Sequence, residues 1–233
     1  MRKLKLIIFD VDGTIADTER YGHLPACNDA MKLIGLNLNW SWNKFKSMLD
    51  IPGTSNRLRK ELSQRNFSNI KIENYVRKFE PLKKKLYVEK YLQRINLRKG
   101  VKELINEAIK SKIKLAIVST SYETQIKALL NAKLPDEQNY FEVILGKESG
   151  KKVDNNGYLH KKCLQLTNCK AEESLVIEDS NDGLKAAVCA NISTAVFYND
   201  YTFGSPFENA KLVAKSLEHF NLYLIMKIIG FKI

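Results

Sequence analysis

Short apolar runs bounded by polar residues recur along the chain and predict strands. The first lies near the N-terminus, where Leu6–Phe9 is followed by Asp10, Asp12 and Gly13. An uninterrupted apolar run of this length is typical of a strand that is buried on both faces of a parallel sheet. Further predominantly apolar runs, two of them interrupted by Lys114 and Glu142, are found at 113–118, 141–145, 175–177 and 194–197.

Helical periodicity lies between these predicted strands. Apolar residues three or four positions apart, such as Val101, Leu104, Ile105 and Ala108, predict an amphipathic helix. The helices predicted in this part of the chain are 101–111, 123–130, 158–166 and 182–190. The alternation predicts an α/β fold with a doubly wound, Rossmann-like parallel sheet that carries helices on both faces.

Residues 16–95 have a different pattern, with helical spacing and no convincing strand. The helices predicted here are 26–34, 42–49, 56–64, 70–79 and 82–95. Gly35 is a suitable C-cap for the first of them, and Pro52 limits the second. We therefore predict an all-helical domain at 16–95, inserted into a core formed by 1–15 and 96–233.

The ends of the chain and its cysteines indicate a cytoplasmic protein. The chain begins directly with its first strand, which leaves no room for a signal peptide. The apolar segment 222–229 is short and contains Lys227, so it predicts a terminal helix over the core and no membrane span. The four cysteines form no CxxC pair, which favours buried, reduced thiols over a zinc site.

Composition is ordinary for a globular protein, with 44% apolar and 27% charged residues, but the formal net charge is +12. The 38 basic residues are scattered along the chain and form no basic arm. This distribution favours a solvated, lysine-rich surface that also attracts multiply charged anions. No basic–aromatic recognition motif is present, so we expect no nucleic-acid partner and no membrane partner.

The candidate chemistry lies where three predicted strands end. Asp10 and Asp12 follow the first strand, Ser119 follows the second, and Glu178 and Asp179 follow the strand at 175–177. In an open parallel sheet the ligand site lies outside the carboxyl ends of the strands. Carboxylates suit Mg²⁺, and acids together with a hydroxyl and a lysine indicate Mg²⁺-assisted phosphoryl transfer.

The chemistry assigns a role to each acid. Asp10 is the first acid after the strand and is the candidate nucleophile, which gives an aspartyl-phosphate. Asp12 is placed to protonate the leaving oxygen and later to activate water. Glu178 and Asp179 complete, with Asp10 and Asp12, a predicted set of metal ligands.

Two further groups are needed for the charge on the transferring phosphoryl group. Ser119 can donate a hydrogen bond to its oxygens, and a lysine must neutralise the charge that spreads over them. Lys151 and Lys152 both lie ahead of a strand-to-helix crossover, so the spacing alone leaves the two open.

These residues resemble the four motifs of the haloacid dehalogenase superfamily of phosphatases. The motifs are Asp10-Val11-Asp12-Gly13-Thr14, Ser119, Lys152 and Glu178-Asp179-Ser180-Asn181-Asp182-Gly183. The resemblance favours Lys152 over Lys151, because Tyr158 then takes the place of the tyrosine in the family's third motif. Val153 and Asn155 replace two prolines of that motif. The inserted helices resemble the family's cap domain, a lid over the site.

Within the superfamily the chain resembles CbbY-like proteins, which are xylulose-1,5-bisphosphate phosphatases. The similar segments are 17–20, 22–23, 97–101, 115–117 and 198–202. The resemblance implies an enzyme for a phosphorylated sugar, with Glu19 and His23 facing the sugar hydroxyls and Arg57 holding a phosphate. It also implies substrate contacts by the residues Thr14, Ser119, Thr120 and Lys152. We expect the enzyme to be a monomer.

One segment departs from that group. Where CbbY-like proteins have a Gly-Gly-Lys-Glu-Arg run, this chain has Gly53-Thr54-Ser55-Asn56-Arg57. The missing lysine weakens a preference for a bisphosphate unless Lys83, Lys84 or Lys85 replaces it. The alternatives are therefore a β-phosphoglucomutase-like mutase and a broad-specificity sugar-phosphate phosphatase. A catalytically silent binding protein is disfavoured, because all the expected acids are present.

Overall fold

In the computed structural model, which describes residues 2–232, the run Leu6–Phe9 forms a strand whose four side chains are all buried. The chain divides into two compact units, of which one comprises Met1–Ala16 and Asn96–Ile233 and the other comprises Asp17–Ile95. Within the described range, none of the helices is long and apolar enough to cross a membrane.

The first unit contains a six-stranded parallel sheet with the order β4-β3-β2-β5-β6-β7. Its strands are β2 (Leu6–Phe9), β3 (Lys114–Val118), β4 (Phe141–Leu145), β5 (Ser174–Glu178), β6 (Ser193–Phe197) and β7 (Leu212–Ala214). Two short strands, β1 (Arg2–Lys3) and β8 (Phe231–Lys232), pair with each other in parallel.

Strand β2 lies at the centre of the sheet. Ile7 is in register with Leu115 of β3 on one side and with Leu175 of β5 on the other. The chain runs outward from β2 first through β3 and β4 and later through β5, β6 and β7, so the strand order reverses at β2. Ligands of open α/β sheets bind at such a reversal.

Helices cover the sheet as the periodicity predicts. They are α5 (Val101–Lys110), α6 (Glu123–Lys133), α7 (Tyr158–Thr167), α8 (Asn181–Cys189) and α9 (Leu222–Ile229). Leu6 and Ile8 pack in one apolar cluster with Leu159 and Cys163 of α7 and Ala187 of α8. The doubly wound fold class is therefore confirmed, and the terminal helix is present.

The second unit is helical, and residues 17–95, all of which the structure describes, contain no strand. Its helices are α1 (Leu24–Leu33), α2 (Trp42–Lys46), α3 (Thr54–Gln64) and α4 (Asn69–Leu86). They share a core that includes Met31, Phe45, Leu58 and Phe79. Asn28 fixes the loop that follows α1, because its amide exchanges hydrogen bonds of 2.9 and 2.8 Å with the backbone of Trp40.

The predicted break between helices 70–79 and 82–95 is wrong. Helix α4 passes through Pro81 and ends at Leu86, followed by a π-helical turn at Tyr87–Tyr91. Proline removes one backbone donor inside a helix. Here Phe79 before it and Lys83 after it are both buried, so packing on both sides holds the helix continuous.

Two further expectations need correction. Cys27, Cys163 and Cys169 are buried as predicted, but Cys189, also a free thiol, is exposed at the end of α8. The strands β1, β7 and β8 were not predicted, because two or three residues are too few for a periodicity to be visible.

Gly100, which precedes α5, has a left-handed backbone with φ of 83°. A Cβ there would lie 2.4 Å from the backbone carbon of Leu217. Gly204 has nearly the same φ, 85°, but a Cβ there would meet nothing within 4 Å. Alanine substitutions at the two positions therefore distinguish the effect of backbone strain, common to both, from that of a steric clash, present only at position 100.

We predict that Gly100→Ala lowers the free energy of unfolding by at least about 2 kcal/mol more than Gly204→Ala does. Both variants carry the left-handed strain, but at position 100 backbone atoms must also move. Urea unfolding of the two variants measures the difference. Equal losses would show that the contact with Leu217 does not constrain the fold.

Candidate active site

Lys152 connects two strand ends of the first unit. Its Nζ atom lies 2.6 Å from Asp10 Oδ1 and 2.6 Å from Glu178 Oε1, and its side chain is 4% exposed. Asp10 immediately follows β2, whereas Glu178 is the last residue of β5. Lys151 is exposed. Of the two lysines that spacing left open, Lys152 is thus the one that meets the acids.

Glu178 is held by the turn that starts α8. Its Oε2 atom accepts hydrogen bonds from the backbone N–H groups of Asp179 at 2.8 Å and Ser180 at 2.9 Å, and from Ser180 Oγ at 3.0 Å. Glu178 is fully buried. Its other oxygen, Oε1, is the one that meets Lys152.

Asp179 points to the loop after β2. Its Oδ1 atom accepts from Thr14 Oγ1 at 3.1 Å, and its Oδ2 atom accepts from Asn199 Nδ2 at 2.6 Å. Thr14 is 1% exposed, so its hydroxyl is buried against Asp179. Its contact with a substrate remains a prediction.

Asp12 and Ser119 are linked through Ser121. Ser121 Oγ donates to Asp12 Oδ2 at 2.5 Å, and the backbone N–H of Ser121 donates to Ser119 Oγ at 3.1 Å. Ser119 is fully buried just after β3, Asp12 is half-buried, and Thr120 between the two serines is exposed. The hydroxyl run after β3 therefore reaches the acids that follow β2.

Burial and like charge shift the pKa values in this cluster. Burial, with Glu178 and Asp12 adding to it, raises the pKa of Asp10 to about 7 against the effect of Lys152. Burial also raises the pKa of Asp179 well above its usual range. Burial would raise the pKa of Glu178 too, but Lys152 and the backbone amides outweigh it and lower that pKa.

Three buried carboxylates thus lie together, and the Lys152 ammonium group contacts two of them, Asp10 and Glu178. Asp10, Glu178 and Asp179 each offer an oxygen, and these oxygens lie within 4.8 Å of one another. Burial and the neighbouring carboxylates raise the pKa values of Asp10 and Asp179, so the ionised cluster is unfavourable without further positive charge. Hard oxygen donors with excess negative charge fit a divalent cation such as Mg²⁺.

The remaining predicted site residues belong to the helical unit and form a second buried group. Arg57 NH1 lies 3.2 Å from Glu19 Oε2, and Arg57 Nε donates to the Ile51 carbonyl at 3.1 Å. His23 Nδ1 lies 2.8 Å from Lys83 Nζ. An ammonium group only donates, so this ring nitrogen accepts, and the ring proton of a neutral His23 is then on Nε2.

Sequence reasoning missed Asn199 and gave no role to Ser121 and Arg98. The Arg98 guanidinium donates to the carbonyls of Gly13, Phe197, Tyr198 and Lys215. Asn199 follows the carboxyl end of β6, and that position beside the other strand ends was the available indication.

Comparison with known proteins places this geometry in context. A family model described as haloacid dehalogenase-like hydrolase matches residues 7–197. The plasmid protein CbbY of Cupriavidus necator is 33% identical over 221 residues, which cover 92% of this chain and 86% of that protein.

Solved structures agree with this finding. A mutant of CbbY from Rhodobacter sphaeroides in complex with xylulose-(1,5)-bisphosphate has a TM-score of 0.81 and 26% identity, covering 94% of this chain and 98% of that one. A β-phosphoglucomutase from Clostridium difficile has a TM-score of 0.75 at 19% identity, covering 97% of both chains. The second likeness concerns the fold alone.

We predict that Lys152→Met destabilises the metal-free protein, by about 3 kcal/mol at pH 8. Without the ammonium group, Asp10 and Glu178 have folded-state pKa values above their unfolded values. The folded state then binds more protons, so stability falls as pH rises through about 4 to 8.

Urea unfolding in EDTA at pH 5.5 and pH 8 checks this, with Lys151→Met as the control. The exposed Lys151 should change stability by less than about 0.5 kcal/mol at either pH. A loss in Lys152→Met that is equal at both pH values would contradict the proposed charge balance.

Proposed function

Since the chain belongs to the haloacid dehalogenase-like hydrolase family and is a phosphatase, we propose that it acts on phosphorylated sugars, is Mg²⁺-dependent and hydrolyses xylulose 1,5-bisphosphate to xylulose 5-phosphate. The observation that carries the catalytic part is the bridging of Asp10 and Glu178 by Lys152, beside Asp179, at the edge where the strand order reverses.

Asp10, Glu178 and Asp179, whose oxygens lie together, would hold Mg²⁺, and the sequence also predicts Asp12 in this set. The bound ion would supply positive charge to the phosphoryl oxygens and offset the repulsion among the carboxylates. Asp179 enters this set with both oxygens already hydrogen-bonded by neutral donors.

Asp10 and Asp12 take part in both steps of the reaction, phosphoryl transfer to Asp10 and hydrolysis of the aspartyl-phosphate. A carboxylate oxygen of Asp10 attacks phosphorus, the bond between phosphorus and the sugar oxygen breaks, and Asp12 gives its proton to that oxygen. Asp12 then accepts a proton from a water molecule that attacks the same phosphorus. The bond to Asp10 breaks, inorganic phosphate leaves, and Asp10 is a free carboxylate again.

Ser119, Thr120 and Lys152 act on the charge of the transferring group. Lys152 contacts Asp10 directly. Its ammonium group can therefore stabilise the negative charge on the Asp10 carboxylate and then the charge on the phosphoryl oxygens during transfer. Ser121 orients Asp12, the proposed proton donor and acceptor, through a hydrogen bond to its Oδ2 atom.

The choice of sugar is supported by the relatives and by the helical unit. The Rhodobacter sphaeroides protein at 26% identity was solved with xylulose-(1,5)-bisphosphate. In this chain we propose that Arg57 contacts the second phosphate and that Glu19 and His23 contact sugar hydroxyls. Lys83 is buried beside His23, whereas Lys85 is exposed, so Lys83 is the lysine best suited to replace the one missing near Arg57.

We expect phosphate release from xylulose 1,5-bisphosphate in the presence of Mg²⁺ to exceed release from ribulose 1,5-bisphosphate and from sugar monophosphates. Asp10→Asn should lower turnover by roughly 1,000-fold or more, because the amide is not a nucleophile. It should keep the fold, because it removes one of three mutually repelling carboxylates.

Each other outcome of this assay has a distinct meaning. Isomerised sugar phosphate without free phosphate would favour a mutase, and flat activity across the panel would favour a broad-specificity phosphatase. Turnover retained in Asp10→Asn would remove Asp10 as the nucleophile.

For Arg57→Ala we predict a rise of KM for the bisphosphate of about ten-fold or more, with a much smaller rise for a monophosphate. Arg59→Ala is the matched control, since Arg59 lies two residues later on α3 and is paired with Glu73 at the exposed surface. Thermal unfolding of both variants reports any loss of packing, because Arg57 also lies 4.8 Å from the ring centre of Phe45. Equal changes in KM for both substrates would refute the phosphate contact.

A further inference from the structure

The turn that follows β6 has a hydrogen-bond pattern that fixes the orientation of the Asn199 side chain. Its Oδ1 atom accepts from the backbone N–H groups of Tyr201 at 3.1 Å and Thr202 at 3.1 Å, and from Thr202 Oγ1 at 3.2 Å. The two backbone groups can only donate, so the amide oxygen must face the turn. The Nδ2 group is therefore directed away from it.

The Nδ2 group of Asn199 is directed at Asp179 in the acidic cluster. Asn199 Nδ2 lies 2.6 Å from Asp179 Oδ2 and 3.4 Å from the carbonyl oxygen of Gly13. Thr14 holds the other oxygen of Asp179. Rotation of the Asp179 carboxylate would break both of these hydrogen bonds, so the two donors together set its plane.

The space around this contact is closed. A Cβ on Gly13 would lie 2.5 Å from Asp179 Oδ2 and 2.9 Å from Asn199 Nδ2. Arg98 joins the same two segments, because its guanidinium donates to the carbonyls of Gly13 and Tyr198. The position of Asn199 relative to Asp179 is thus held by the core and not by the turn alone.

We propose that Asn199 is a positioning residue for the divalent cation, and that its amide presents the Asp179 carboxylate in the orientation that binds Mg²⁺. The inference rests on the proposed use of Mg²⁺ by this site. A neutral donor suits this task, because it orients a ligating carboxylate without adding charge that would repel the cation. Loss of such an outer contact typically weakens metal binding by about 10- to 100-fold.

Asn199→Ser is the variant that tests the proposal. A serine hydroxyl can accept hydrogen bonds from the backbone N–H groups two and three residues later, so the turn is kept, but its side chain is too short to reach Asp179. Thr202→Val is the matched control. It removes the hydroxyl that bonds to Asn199 Oδ1 and to the Asn199 N–H, yet it leaves Nδ2 on Asp179.

Mg²⁺ binding is measured without substrate, by isothermal titration and by the rise in Tm with Mg²⁺ concentration. We expect the Kd for Mg²⁺ to rise about ten-fold or more in Asn199→Ser and less than about three-fold in Thr202→Val. Their Tm values in EDTA should be close to each other. Phosphatase activity of Asn199→Ser should recover as Mg²⁺ is raised, which a purely structural defect would not do.

The opposing outcomes are separate. An unchanged Kd in Asn199→Ser, or an equal rise in Thr202→Val, would overturn the role of Asn199 while leaving the proposed function intact. Asn199→Ala, which adds no polar atom, is the second variant and must weaken Mg²⁺ binding in the same direction. Failure of the unsubstituted protein to bind Mg²⁺ would overturn the metal site itself, and this inference with it.

Discussion

Like charges buried at one sheet edge are the constraint on which the rest of the first unit depends. Asp10, Glu178 and Asp179 are each at most 6% exposed, and Lys152 is the ammonium that contacts two of them. Such a group is costly to bury without compensating partners. This cost appears as the raised pKa values of Asp10 and Asp179, and a bound divalent cation would reduce it.

Most of the surrounding structure can be understood as compensation for that charge. The backbone amides that begin α8 stabilise Glu178, and neutral donors from Thr14 and Asn199 stabilise Asp179. Arg98 satisfies four backbone carbonyls around the same loops. The contacts of Thr14, Asn199 and Arg98 join segments that lie far apart in sequence.

The helical unit also buries charged side chains, and here each buried cation has its own partner. Arg57 is paired with Glu19, and Lys83 lies against His23, so each buried cation already has a partner within its own unit. A ligand phosphate would have to compete with Glu19 for Arg57. Selectivity is therefore expected to depend on how easily this ion pair is exchanged, and not on the number of basic residues alone.

The sequence by itself predicted most of the strands and helices and most of the acidic residues of the site. The buried strand β2 and the edge strand β4 were predicted with their observed bounds, because local apolar runs decide such strands. The same pattern indicated that Asp10, Ser119 and Glu178 would meet, since parallel strands place their carboxyl ends along one edge. The doubly wound class followed from the alternation of strands with helices.

Tertiary structure decided what depends on contacts between distant segments. It placed Lys152, which spacing alone had left open with Lys151 and the family resemblance had favoured, against Asp10, carried α4 through Pro81 and brought Asn199 to Asp179 across 20 residues. In each case the local sequence allowed more than one result. Packing on the core and the electrostatic demand of buried carboxylates then selected one of them, and neither is encoded in a local periodicity.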